Sequence, residues 1–144
     1  MALKLIDHGT PEYLQMVQLR TEILRKPLGL SFLPEELEKE KDEILIAAFE
    51  EDKMLGCCML IKTEQGAVRL RQMAVLNTLQ GKGIGKALMQ FAENIARDRG
   101  FRKITMHARK TATGFYEKLG YKVIGEEFEE VTLPHVVMEK NLLT

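Results

Sequence analysis

Charge imbalance is the first thing this sequence lacks. Its 21 Lys and Arg are matched by 21 Asp and Glu, a formal net charge of +0. Such a chain has no global attraction for nucleic acid or for an anionic membrane, so neither is an expected partner. Long apolar runs are missing too, and none approaches the ~20 residues of a membrane span. The first ten residues, MALKLIDHGT, lack the apolar core of a secretory signal. Cysteine is scarce: Cys57 and Cys58 are neighbours in a strand-like segment and project to opposite sides. That arrangement favours neither a disulfide nor a metal site, and no metal is expected. A reducing, cytoplasmic location is the default expectation.

What is present is an ordinary globular composition, 45% hydrophobic and 29% charged over 144 residues. That length suits one domain, 1–144, with a sizeable core. Internal repeats, linkers and low-complexity segments are absent from the pattern.

The most informative stretch is Met73 to Leu88, MAVLNTLQGKGIGKAL. An apolar run from Gln72 to Leu76 leads into a glycine-rich turn, Gln80 to Gly85, and a helical pattern begins between Lys82 and Lys86. Gly81, Gly83 and Gly85 leave little bulk over the backbone and permit angles that other residues reach only under strain. Free N–H groups at a helix start, with the helix dipole behind them, suit an anion such as pyrophosphate. Lys82 and Lys86 add positive charge. A dinucleotide fingerprint fails here, because the third glycine position is Lys86. An ATP-type P-loop fails as well, because Ala87 follows Gly85-Lys86 and position 80 is Gln. A tight turn that binds nothing is the bland alternative.

The rest of the chain supplies the setting. Leu3 to Ile6 reads as a strand, and Thr10-Pro11-Glu12 opens a helix that must end before Pro27. Pro34 to about Lys41 is a short second helix, and the charge run from Glu35 to Glu43 reads as a solvated face. Ile44–Phe49, Met54–Lys62 and Ala67–Leu76 are strands in meander order, with turns at Glu50–Lys53 and Thr63–Gly66. The helix after the loop carries an apolar stripe of Leu88, Phe91, Ala92, Ile95 and Ala96, and Gly100 closes it. The strand Arg102–Ala108 alternates Ile104, Met106 and Ala108 against Thr105, His107 and Arg109. A helical crossover before it predicts a parallel pair with the preceding strand, the ligand lying at their carboxyl ends. Thr111–Leu119 is a short helix with Ala112, Phe115, Tyr116 and Leu119 on one face. Tyr121–Glu130 and His135–Asn141 are a terminal strand pair.

The spacing Gln80-x-x-Gly83-x-Gly85 after the strand Arg71-Gln72-Met73-Ala74-Val75 resembles the acyl-coenzyme-A pyrophosphate loop of the GCN5-related N-acetyltransferase (GNAT) superfamily. Ala112-x-x-Phe115-Tyr116-x-Lys118-x-Gly120-Tyr121 resembles a second segment of that family. Leu133-Pro134-His135 is similar to a small bacterial subgroup. The resemblance implies a mixed α/β (α+β) fold of four helices. Its sheet is mostly antiparallel, with parallel strands 4 and 5 splayed around the pantetheine arm. It implies acetyl-CoA as co-substrate. Backbone groups of Met73, Ala74 and Val75 would take the pantetheine, and the segment Gln80, Gly81, Lys82, Gly83, Ile84, Gly85 and Lys86 the pyrophosphate. The implied activity is transfer of an acetyl group to a primary amine of a small molecule or peptide. A backbone donor near Val75 would hold the oxyanion. Tyr116 would lie at the cofactor sulfur as the acid for the departing thiolate. The spacing alone equally allows a core tyrosine. Family members often pair through the C-terminal strands, so a homodimer is open.

Two departures stand out. Arg109 occupies a position where the family often has asparagine, and its role does not carry over. The fourth strand has Arg69 and Arg71 where some members place a glutamate base, leaving water, His107 or His135 for that task. If the face of Arg69 and Arg71 meets that of His107 and Arg109, the acceptor pocket is basic; solvated strand arginines are the bland reading. An acyl-CoA-binding module without turnover is the competing functional reading.

Overall fold

The computed structural model describes residues 1–64 and 66–142. Its strands and helices follow in the order β1 (Ala2–Ile6), α1 (Pro11–Arg20), α2 (Pro34–Glu38), β2 (Ile44–Glu50), β3 (Lys53–Lys62), β4 (Ala67–Val75), α3 (Ile84–Asp98), β5 (Lys103–Arg109), α4 (Thr113–Lys118), β6 (Lys122–Glu130) and β7 (Leu133–Asn141). The strands take the order β1-β2-β3-β4-β5-β7-β6 in one sheet. The β1–β2, β2–β3, β5–β7 and β6–β7 pairs are antiparallel and β4–β5 is parallel. The expected fold is therefore the observed one. The chain divides into two compact units: residues 1–61 with 72–92, and residues 62–71 with 93–144.

The first unit holds β1 to β3, the two N-terminal helices and the glycine-rich loop. Thr10 caps α1 by accepting from the Tyr13 N–H at 3.2 Å, with Pro11 in the first turn where its missing N–H costs nothing. Regular α-winding stops at Arg20, well short of Pro27. A π-helical stretch, Thr21–Arg25, follows, then a 3-10 turn, Lys26–Leu28, that accommodates the proline. Tyr13, Met16 and Leu19 of α1 pack with Leu45, Ala47, Phe49, Met54, Cys57 and Met59 of the strands. Here one expectation fails. The charge run around α2 is not wholly solvated, because Glu40 is buried against the fully buried Arg20. A charge that finds an opposite charge and several donors can leave water.

Gly56 lies where α3 meets β3. A Cβ there would stand 3.0 Å from Leu88 Cδ1, 3.1 Å from the Ala74 carbonyl oxygen and 3.1 Å from Ile84 Cγ2. Only a residue without a side chain allows this approach of helix to sheet. Cys57 and Cys58 are buried free thiols.

In the second unit the β4–β5 ladder pairs Ala67 with Lys103 through Leu70 with Met106. β5 alternates half-buried and buried residues along its length, with Ile104, Met106 and Ala108 inward, as its sequence predicts. α3 ends at Gly100, whose φ of 84° suits the left-handed cap; the Phe101 N–H reaches the Ala96 carbonyl at 2.9 Å. Phe91 and Ile95 are only half-buried, whereas Met89 and Glu93 are buried. Glu93 is tolerated because Lys140 Nζ donates to it at 2.9 Å and Tyr121 Oη at 3.0 Å. Within the predicted turn Thr63–Gly66, Gln65 lies outside the described residues. Among the described residues, no helix is long and apolar enough to cross a membrane.

Candidate active site

In the first unit the end of β4 leads into the glycine-rich loop before α3. Strand β4 carries a local irregularity at Gln72, whose φ of 58° is left-handed for a residue with a Cβ. Such a conformation costs ~1 kcal/mol or more and persists only where the surroundings enforce it. It immediately precedes Met73, Ala74 and Val75. The Gln72 carbonyl lies 3.8 Å from Cys57 Sγ. The Leu76 N–H donates to the Leu55 carbonyl on β3 at 3.0 Å. Backbone groups alternate in direction along an extended strand. The N–H groups of Met73 and Val75 therefore face away from β3, and that of Ala74 faces toward it.

After β4 a 3-10 turn, Asn77–Leu79, leads into the loop. Gly81 and Gly83 both adopt left-handed angles, φ of 81° and 86°. A Cβ at either would meet nothing within 4 Å, so the space over this backbone is open. The first backbone bond into α3 runs from the Ala87 N–H to the Gly83 carbonyl at 3.0 Å. The N–H groups of Ile84, Gly85 and Lys86 precede it and have no acceptor within the helix. Lys82 and Lys86 are exposed beside them. Alternating left-handed glycines, open space and unspent N–H groups at a 15-residue helix fit a pyrophosphate. Gln80 does something its motif position did not reveal. Its Nε2 donates to the Val75 carbonyl at 3.1 Å and to Asn77 Oδ1 at 3.2 Å, bracing the loop against the strand end.

The second unit gathers titratable side chains from four strands. Arg69 Nη2 of β4 lies 2.7 Å from His107 Nδ1 of β5, so the two faces anticipated from their alternation do coincide. No local pattern pointed to the third member, Glu130 at the end of β6. Its Oε1 is 3.0 Å from His107 Nδ1 and 3.8 Å from Arg69 Nη2. Its Oε2 is 3.8 Å from Nε2 of His135 on β7. Phe128 packs edge-on to His107 at 5.1 Å and lies 6.0 Å from the His135 ring. Partial burial pushes the Glu130 carboxyl up, but the His107 hydrogen bond and the charges of His107, His135 and Arg69 outweigh it. The carboxyl ends below its ordinary value. Arg69 is drawn down from its ordinary value by partial burial and by Arg71, and Glu130 opposes the shift. A carboxylate on β6 was invisible to sequence reading because it reaches the arginine of β4 only through the strand order β4-β5-β7-β6.

Tyr116 is buried in the same unit. Its ring stands edge-to-face with Phe115 at 4.9 Å and with Tyr121 at 6.0 Å. Phe115, expected on the same inner face, is 39% exposed, whereas Tyr116 is buried. Arg109 pairs across the ladder with His135. Among the described residues, no group of three His, Cys, Asp or Glu side chains could hold a metal ion.

Comparison with known proteins gives a consistent result. The family model described as the acetyltransferase (GNAT) domain matches residues 22–142. YjcF of Bacillus subtilis, named an uncharacterized N-acetyltransferase, is 31% identical over 108 residues, 74% of this chain and 75% of that protein. YyaT of Bacillus subtilis is 34% identical over 74 residues, 51% of this chain and 50% of YyaT. The chain thus spans about half the length of the first curated relatives it matches. Among solved structures, a provisionally assigned N-acetyltransferase from Lactobacillus plantarum superposes with a TM-score of 0.86 at 26% identity, covering 99% of this chain and 100% of that one. An aminoglycoside 6′-N-acetyltransferase complexed with coenzyme A superposes with a TM-score of 0.86 at 20% identity, covering 100% and 98%. The latter likeness is one of fold.

Proposed function

This chain belongs to the GNAT acetyltransferase family, and we propose that it moves an acetyl group from acetyl-CoA to a primary amine. The observation that carries this reading is the cradle after β4, with left-handed Gly81 and Gly83 under open space and unspent N–H groups at Ile84, Gly85 and Lys86. The reading takes residues 1–144 as one acetyltransferase domain working in the cytoplasm.

Met73 and Val75 offer backbone groups to the pantetheine amides in the manner of an added strand. The Ala74 N–H and carbonyl face β3, so Ala74 makes no direct bond to the cofactor and serves as the spacer that turns Met73 and Val75 outward. Gly81 to Lys86 hold the pyrophosphate, with the charges of Lys82 and Lys86 beside it. Bound acetyl-CoA supplies a thioester whose carbonyl carbon receives the amine. The Val75 N–H is the candidate oxyanion donor. Tyr116 is the candidate acid for the thiolate, which needs only a weak acid because its own basicity is modest. The acceptor is an amine on a small molecule or a peptide.

The test is calorimetric titration with acetyl-CoA, with Gly83→Glu in parallel. The expected result is micromolar binding in the wild type and none in the variant, since the glutamate puts bulk and negative charge under the pyrophosphate. A wild type that does not bind acetyl-CoA would overturn the reading. Release of coenzyme A thiol in the presence of amines separates an enzyme from a module that binds without turnover. A Tyr116→Phe protein with unchanged turnover would remove Tyr116 from the chemistry.

A further inference from the structure

We propose that Glu130 and His135 form the acceptor-ammonium site, Glu130 holding the ammonium and His135 Nε2 taking its proton. This rests on the acetyltransferase reading and names the base that β4 does not supply.

The argument begins with the proton positions. His135 Nδ1 lies 2.9 Å from the Leu133 carbonyl oxygen. A carbonyl only accepts, so Nδ1 carries the hydrogen and, in the neutral ring, Nε2 carries a lone pair. The ring is 5% exposed and packs near Phe128, its cross-strand partner, so the orientation is fixed. Nε2 stops 3.8 Å from Glu130 Oε2, too far for a direct hydrogen bond. A donor nitrogen placed about 2.8 Å from both atoms closes a triangle with that separation. Glu130 is 37% exposed on its side chain, so a solute can reach it.

His107 sets the other oxygen. Its Nδ1 faces an obligate donor, Arg69 Nη2, and an acceptor, Glu130 Oε1. When neutral with Nδ1 bare, it accepts from Arg69; when Nδ1 is protonated, it donates to Glu130. In either state Arg69 stays a cation 3.8 Å from Oε1 and Glu130 stays an anion, a group suited to holding an ammonium rather than to removing its proton. That task falls to His135. One N–H bond of the ammonium breaks, the electron pair stays on the amine nitrogen as nucleophile, and the proton bonds to Nε2. The imidazolium so formed faces the Glu130 carboxylate.

The experiment is NMR on uniformly labelled protein at pH 8, reading imidazole nitrogens and Glu carboxyl carbons during titration with n-butylammonium chloride, with tetramethylammonium chloride as control. Acetyl-CoA is titrated into the same sample. The expected result is an amine-free His135 in the Nδ1–H tautomer. Glu130 and His135 Nε2 signals then shift with n-butylammonium and not with the control. Glu130→Gln weakens that response tenfold or more, while Glu127→Gln, which removes an exposed carboxylate on the same strand, leaves it unchanged. A His135 with hydrogen on Nε2, or wild-type signals that ignore the amine while acetyl-CoA binds, overturns this proposal alone. A wild type that does not bind acetyl-CoA overturns the acetyltransferase reading and the proton role with it.

Discussion

Arg20 and Glu40 meet side by side in the interior of the first unit, Nη1 to Oε1 and Nη2 to Oε2 both at 2.7 Å. Tyr13 Oη donates to the same carboxylate at 2.7 Å, and Phe32 lies under the guanidinium at 4.5 Å. The pair ties the end of α1 to the segment after α2, which has no buried residue of its own within the helix. Removing one partner strands the other charge out of water, at a cost of about 3–5 kcal/mol. Arg20→Met and Glu40→Leu are each expected to lower Tm by roughly 10 °C, given ~3 °C per kcal/mol at this size. The double variant Arg20→Met/Glu40→Leu should recover a large part of the loss, since no charge is left unpaired. Differential scanning calorimetry of the three proteins checks this. Additive losses would show that the two side chains act independently.

Alkaline pH should destabilise the protein. Burial raises the Cys57 thiol to about 12, with Arg20 opposing, and raises Cys58 and Tyr13 as well. The unfolded chain releases these protons at lower pH than the folded one. Their contribution is therefore complete below pH 9, the ordinary thiol value, and declines as pH rises through the thiol and phenol range. Urea midpoints at pH 8 and pH 10.5 should fall in that order. Both thiols should also resist iodoacetamide at pH 8 until the protein is unfolded.

Gly56 holds α3 against the sheet. A Gly56→Ala methyl would meet the Ala74 carbonyl oxygen at 3.1 Å, and backbone cannot move aside as a side-chain tip can. A loss of about 1–3 kcal/mol is expected from this overpacking. Acetyl-CoA affinity should fall at the same time, because Ala74 and Ile84 border the cradle. A variant with wild-type stability and affinity would show that helix and strand have room to separate.

Gln80→Ala separates bracing from binding. The variant loses two hydrogen bonds that hold the loop to Val75 and Asn77, both largely exposed, so Tm should change little. Acetyl-CoA affinity is expected to fall three- to tenfold by calorimetry, since an unbraced loop must be ordered on binding. Gly81→Ala is the complement: its methyl meets no atom within 4 Å, but φ of 81° opposes any side chain. It should cost stability by about 1 kcal/mol.

Most of the fold was legible along the chain. Turn residues, alternating strands, the cap at Thr10 and the stop at Gly100 act over a few residues, so local patterns locate them. Parallel pairing of β4 with β5 followed from the crossover helix between them. The glycine-rich turn was legible too, because Gly81 and Gly83 answer a backbone demand at those same positions. Two other things were not. Arg20 read as one more position on a helical face and Glu40 as one more surface charge, until their separate elements brought them together. Glu130 read as the end of a strand, and β4 offered arginines with no carboxylate beside them.

The sequence by itself determined most of the elements, the family resemblance and the glycine-rich turn before α3, since each depends on neighbours close in the chain. Only the tertiary structure decided which charges are buried and which side chains share a site. Arg69, His107, Glu130 and His135 come from four strands. What sets their distances is the order of those strands in the sheet, a long-range property that no local spacing records.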